Sequence, residues 1–206
     1  MYTCASCTIH ACYTHELDKM PKNCPLRNVD LVKETRQKYE EPENKEFYVT
    51  ASEIEALGYC EWVRLKETMV LADMMHYHKL GLAFCKGLQK EAKIVNDLLR
   101  RHGFEVVSVI CKAGGVPKED VGIRKELKLR PEEFEPMCNP ILQAELLNEQ
   151  GTEFNILLGL CVGHDSMFYK YSKALVTTLV VKDRVLAHNP VGAIYCADGY
   201  MKRKLD

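Results

Sequence analysis

Between positions 79 and 181 four apolar runs alternate with amphipathic stretches: KLGLAF (79–84), FEVVSVI (104–110), FNILLGL (154–160) and ALVTTLVV (174–181). Each is apolar at consecutive positions, the pattern of a strand buried on both faces, as in a parallel sheet. After the first run, Leu88, Ala92, Val95 and Leu99 share one helical face, and Gly103 marks its stop. After the second, a polar loop runs to Pro136. Asn139-Pro140 then supplies an N-cap and a first-turn proline for ILQAELLNEQ, which ends at Gly151. A short helix through Phe168 and Tyr171 precedes the fourth run. Parallel strands need crossovers, and the three intervals hold suitable helices. The predicted class is therefore α/β, a parallel sheet of four or slightly more strands with flanking helices.

Upstream, Ser52 and Glu55 form a capping-box pattern, and Ile54, Leu57, Leu65, Met69 and Ala72 recur at helical spacing. This predicts one long helix from Ser52 to about Met75. Residues 33–46 are charged and contain Pro42, and they read as a solvated helix or linker. Residues 1–25 have neither helical nor strand periodicity, so something other than an apolar core must order them. The predicted organisation is an irregular cysteine-rich segment (1–27), a charged linker or helix (28–51) and the α/β domain (52–206).

Composition narrows the function. With 206 residues, 47% of them hydrophobic, the chain can bury a core. A formal charge of −1 provides no basic field for nucleic acid, and no run approaches the ~18 apolar residues of a membrane span. The start, MYTCASCTIH, lacks an export pattern, so a cytoplasmic location is expected. In that reducing compartment ten cysteines serve metals, catalysis or burial better than disulfides.

Four of them, Cys4, Cys7, Cys12 and Cys24, fall within the first 24 residues, with Pro25 directly after the last. Four thiolates can close around one zinc ion or bind a 4Fe-4S cubane, and either would supply ordering free energy to a segment that lacks a core. Zinc sites usually present two knuckle pairs, whereas Cys12 and Cys24 stand alone, which favours iron–sulfur. His10 and His15 keep a mixed Cys/His zinc site open.

A second set follows from topology. Cys85, Cys111 and Cys161 each fall at the predicted carboxyl end of a strand, and Cys138 precedes a helix start. In a parallel sheet these ends share one edge, where open α/β folds bind ligands. The set is a candidate second metal or cluster site or a reactive thiol site, with His164 and Asp165 as accessory groups. Burial of small apolar side chains is the competing explanation.

The stretches KLGLAFCKGL, CNPILQAELLN and GLCVGHDSMFYKYSKALVTTLVVKDRVLAHNPVGAIY resemble a family of anaerobe proteins catalogued as a domain of unknown function and often labelled metal-binding. The resemblance spans nearly the whole chain, N-terminal cysteines included. It implies metal binding and brings no substrate, reaction or named partner. The functions to be distinguished are an iron–sulfur protein with a redox or electron-transfer role and an unidentified redox or protein partner, and a zinc-binding carrier or interaction module without catalysis.

Overall fold

The computed structural model describes residues 1–205, which divide into two compact units, one of residues 1–59 and one from residue 60 onward. The boundary at 51/52 drawn from sequence falls inside a helix of the first unit.

The first unit opens with three short turns of 3-10 helix (Cys4–Ser6, Leu17–Lys19 and Pro25–Arg27) and one turn of α-helix, α1 (Ala11–Thr14). Two longer helices follow, α2 (Val29–Lys38) and α3 (Pro42–Gly58). The single long helix expected from Ser52 onward is instead two: α3 ends at Gly58, Cys60 takes a left-handed conformation (φ 58°), and α4 (Arg64–Met74) begins in the second unit. Ser52 caps nothing. Its hydroxyl donates to the carbonyl of Tyr48 one turn back at 2.9 Å, the usual occupation of a mid-helix serine. The true start has Pro42 in the first turn, where a missing N–H costs nothing.

The second unit has the expected α/β fold. After α4 it runs β1 (Lys79–Phe84), α5 (Gln89–Arg101), β2 (Glu105–Ile110), α6 (Pro140–Glu149), β3 (Phe154–Leu158), α7 (His164–Tyr171) and β4 (Leu175–Val180), then the short α8 (Val191–Tyr195) and α9 (Lys202–Leu205). All neighbouring strands are parallel, in the order β2-β1-β3-β4. The chain moves outward from β1 to β2 and then crosses back to β3, so the direction of winding reverses between β1 and β3. Right-handed crossovers then put α5 and α6 on opposite faces.

Apolar matching holds these layers together. β1 and β3 are buried along nearly their whole length, with Leu80, Leu82, Ala83, Ile156, Leu157 and Leu158 at 0–1% exposure. Helix α5 buries Ala92, Val95 and Leu99, the face read from sequence. On the other side Ala144 and Leu147 of α6 and Phe168 of α7 pack with Ala83 and Leu157. Asn139 caps α6 as expected, its Oδ1 accepting the Leu142 N–H at 3.1 Å. No helix among the described residues is long and apolar enough to cross a membrane.

Candidate functional site

In the first unit the chain closes on itself through polar contacts near its cysteines. The CASC segment turns with the Cys7 N–H on the Cys4 carbonyl at 3.1 Å. The His10 N–H points at Cys7 Sγ at 3.5 Å, a main-chain donor aimed at a sulfur. Asn23 reaches back to Thr3 Oγ1 at 2.6 Å, which brings the Cys24 turn beside the Cys4 turn. Arg27 fixes that turn by donating to the carbonyls of Met20 (2.7 Å) and Pro21 (2.8 Å). As a result Cys4, Cys7, Cys12 and Cys24 line a single cavity of about 360 Å³, with His10 in the same wall; His15 is not among its lining residues. Ala11 is the one buried residue of the first 25, so this arrangement has almost no apolar core beneath it.

The second cavity, about 870 Å³, lies at the carboxyl edge of the sheet. Cys85 and Cys111 directly follow β1 and β2, whose last residues Phe84 and Ile110 are register partners, so the two cysteines face each other across adjacent strands. The Cys111 N–H completes that ladder on the Phe84 carbonyl at 2.8 Å, and the Asn139 N–H on the Cys111 carbonyl at 2.7 Å docks Cys138 alongside. Cys161 begins the turn into α7, where the His164 and Asp165 N–H groups both meet its carbonyl. Cys85, Cys111, Cys138, Cys161 and His164 all line this cavity. Asp165 is not among the lining residues; its carboxylate accepts the Ser166 N–H at 2.8 Å, and the residue at the N-cap of α7 is Gly163.

Sequence reasoning missed the charge of this cavity. Lys86, Lys112, Lys118, Lys182 and Arg184 line it, against one carboxylate, Glu135, which pairs with Lys118. Lys112 Nζ lies 3.4 Å from Cys138 Sγ and Arg184 Nη2 2.9 Å from Cys161 Sγ. Lys182 and Arg184 follow β4, the strand adjacent to β3. Gln143 was also unseen. Wholly buried on α6, it donates to the carbonyls of Phe84 (3.3 Å) and Val109 (2.7 Å) and so ties together the strand ends that carry Cys85 and Cys111. Gly159 is a third. With φ +67° and a Cβ position 2.1 Å from Leu88 Cδ1, only glycine fits where β3 leaves the sheet.

The three thiols at the centre act on one another. Cys111 is buried, opposite Cys85 in the strand register and tied to the Cys138 segment by the Asn139 N–H on its carbonyl. Its S–H draws the Cys85 thiol down to about 4, helped by the Gly87 N–H and Lys182 and opposed by burial. The same S–H draws Cys138 down to about 5, helped by Lys112 and the field of His164. Cys111 itself is pushed far up, because its proton serves both neighbours and its site is buried. Arg184 is raised by its hydrogen bond to Cys161.

Among the described residues no group of three or more His, Cys, Asp or Glu side chains is gathered closely enough to hold a metal ion. Two cysteine-lined cavities of different character are thus present, one core-poor, the other cationic and set on the edge of a packed sheet.

Comparison with known proteins gives a family and assigns no activity. An uncharacterized protein of Methanocaldococcus jannaschii is 44% identical over 203 residues, covering 98% of each chain. A family model described as "Protein of unknown function (DUF1847)" matches residues 24–179, a range that takes in Cys24 and the whole second set but begins after Cys4, Cys7 and Cys12. The chain belongs to the DUF1847 family.

Proposed function

We propose that this is a metal-binding protein whose first unit carries an iron–sulfur cluster, of the 4Fe-4S type, on Cys4, Cys7, Cys12 and Cys24, with a one-electron redox role. The observation that supports this reading is the cavity of about 360 Å³ on which all four cysteines open. It has room for a polynuclear group and far more than a single ion requires. Cluster ligation also accounts for the order of a segment with one buried residue in its first 25, since metal–thiolate bonding replaces the missing core. The N–H of His10 at Cys7 Sγ is the kind of donor that tunes cluster potentials.

His10 in the same wall favours a second reading, a structural zinc held by three or four cysteines with His10 available as a ligand, in a carrier or interaction module. Anaerobic purification followed by metal and sulfide analysis separates the two. The cluster reading expects a brown protein with about four irons and four sulfides bound by the first unit, and a Cys7→Ser variant that loses them. One zinc per chain selects the second reading. Metal content unchanged by Cys7→Ser refutes both.

A further inference from the structure

The cavity at the carboxyl edge of the sheet has the chemistry of a thiol rather than a cation site. Five cationic side chains line it against one carboxylate, a field that repels a bare divalent cation and stabilises thiolates and anions. Three of the thiols that line it are Cys138, half-buried, and Cys111 and Cys85, both buried, with the Lys86 N–H 3.3 Å from Cys111 Sγ. Strand register fixes Cys85 opposite Cys111, and the Asn139 N–H on the Cys111 carbonyl fixes Cys138 beside it. A volume of about 870 Å³ admits a small molecule.

We propose that this cavity is a thiol–disulfide exchange site for small anionic disulfides, with Cys138 as the attacking thiolate, Cys111 as the resolving thiol and Cys85 as the residue that positions Cys111 across the strand register. Cys138 Sγ attacks one sulfur of the substrate disulfide, forming a mixed disulfide and expelling the first substrate thiolate. Cys111 then gives its proton to that expelled thiolate and attacks the Cys138 sulfur, and the second substrate thiolate leaves. The protein gains a Cys111–Cys138 disulfide, and the substrate leaves as one thiol and one thiolate. The substrate takes up the two electrons lost by the protein, and a reducing dithiol would reset the site. Lys112 beside Cys138 keeps the attacking sulfur ionised, in line with the low value of that thiol. Lys86 and Lys182 supply positive charge to the same wall for substrate carboxylates. Cys161, occupied by Arg184, takes no part in the exchange.

The test uses the full chain, purified anaerobically with its metal and reduced, then mixed with oxidised glutathione as the anionic probe and with cystamine as a cationic one. Thiol release is followed, and the modified cysteines are mapped by mass spectrometry. The parent should release two glutathione thiols per chain and yield a Cys111–Cys138 disulfide. Cys111→Ser should release one and retain a glutathione adduct on Cys138. Cys138→Ser, at a half-buried position, should release none from this cavity, and Cys85→Ser should slow the second release without preventing the first. Oxidised glutathione should react on the order of tenfold faster than cystamine at low salt, with the advantage shrinking as salt rises. Adducts confined to Cys4, Cys7, Cys12 or Cys24, a disulfide pairing that excludes Cys138, or iron or zinc bound by Cys85, Cys111 and Cys138 would each overturn the proposal. Because the adducts are mapped by residue, the result does not depend on which metal the first unit holds.

Discussion

Gly81 sits in the middle of β1, between β2 and β3, and the space where a side chain would stand is already occupied. A Cβ there would lie 1.9 Å from Asn155 Oδ1 and 2.8 Å from Leu147 Cδ1. Leu147 can yield by rotating, but Asn155 cannot do so freely. It is wholly buried, accepts from the Thr152 hydroxyl at 2.8 Å and donates to Ser172 Oγ at 2.8 Å. Gly81→Ala must therefore both overpack the sheet against Leu147 and displace Asn155 from this pair of hydrogen bonds. Overpacking costs about 1–3 kcal/mol and a broken buried bond a similar amount, so the loss should be about 3–5 kcal/mol. Urea unfolding of the second unit, with a slope of about 2 kcal/mol per molar, should show the midpoint falling by about 2 M at unchanged slope. Asn155→Ala should partly rescue the variant. The Thr152 hydroxyl keeps a second acceptor in the Leu147 carbonyl, and the Ser172 hydroxyl goes on donating to the Ala174 carbonyl, so removing Asn155 leaves neither unpaired. The double variant should be more stable than Gly81→Ala alone, with a coupling above about 1 kcal/mol. A loss below about 1 kcal/mol for Gly81→Ala, or no rescue, would refute this account of the sheet centre.

Two further outcomes follow from the carboxyl edge. Asn139→Ala removes the side-chain acceptor for the Leu142 N–H and should cost about 1 kcal/mol in the same unfolding assay, with Asn139→Asp retaining most of the stability. Cys138 titrates at about 5 in the folded chain against an ordinary 9.0, so between these values the unfolded chain binds more protons and the contribution of this thiol grows as pH rises. Cys85 acts in the same sense from about 4, whereas Cys111, raised, stabilises below the ordinary value and loses that contribution above it. The gap in urea midpoint between the parent and Cys138→Ser, measured under reducing conditions, should widen from pH 5 to pH 9, and a flat difference would contradict the assignment.

The sheet was legible because strands buried on both faces leave uninterrupted apolar runs, and KLGLAF coincides with β1 to the residue. Asn139-Pro140 was legible for a local reason, since an N-cap and its first-turn proline are neighbours in sequence. The break between α3 and α4 was not. Apolar residues at helical spacing persist across it, and the left-handed turn at Cys60 carries no glycine to announce it. Pro42 did announce the true start of α3, but the surrounding charge made that stretch resemble a linker. The cationic wall was invisible for a different reason. A net charge of −1 averages over the whole chain, and Lys86, Lys112, Lys182 and Arg184 meet only because three strand ends converge. Gln143 and Gly159 likewise acquire their roles from partners 59 and 71 positions away in sequence, Phe84 and Leu88.

The two cysteine sets solve opposite physical problems, and this separates their responses to a chelator. Cys85 and Cys111 are held by the ladder of a parallel sheet, by the Gln143 clamp and by a packed cluster of Ala83, Ala144, Leu147 and Leu157, so their geometry exists before anything binds. Cys4, Cys7, Cys12 and Cys24 rest on a few hydrogen bonds and one buried alanine, and the conformational entropy of some 20 ordered residues, about 1–2 kcal/mol each, far exceeds what those contacts return. Under the metal-binding proposal the missing free energy is that of metal–thiolate bonding, which is lost when the metal is removed. Anaerobic chelation should therefore raise amide exchange across residues 1–27 toward the unprotected rate while β1 and β3 keep their protection. If exchange in the N-terminal segment were unaffected by chelation, its order would have to come from the chain itself, and the metal proposal would lose its physical basis.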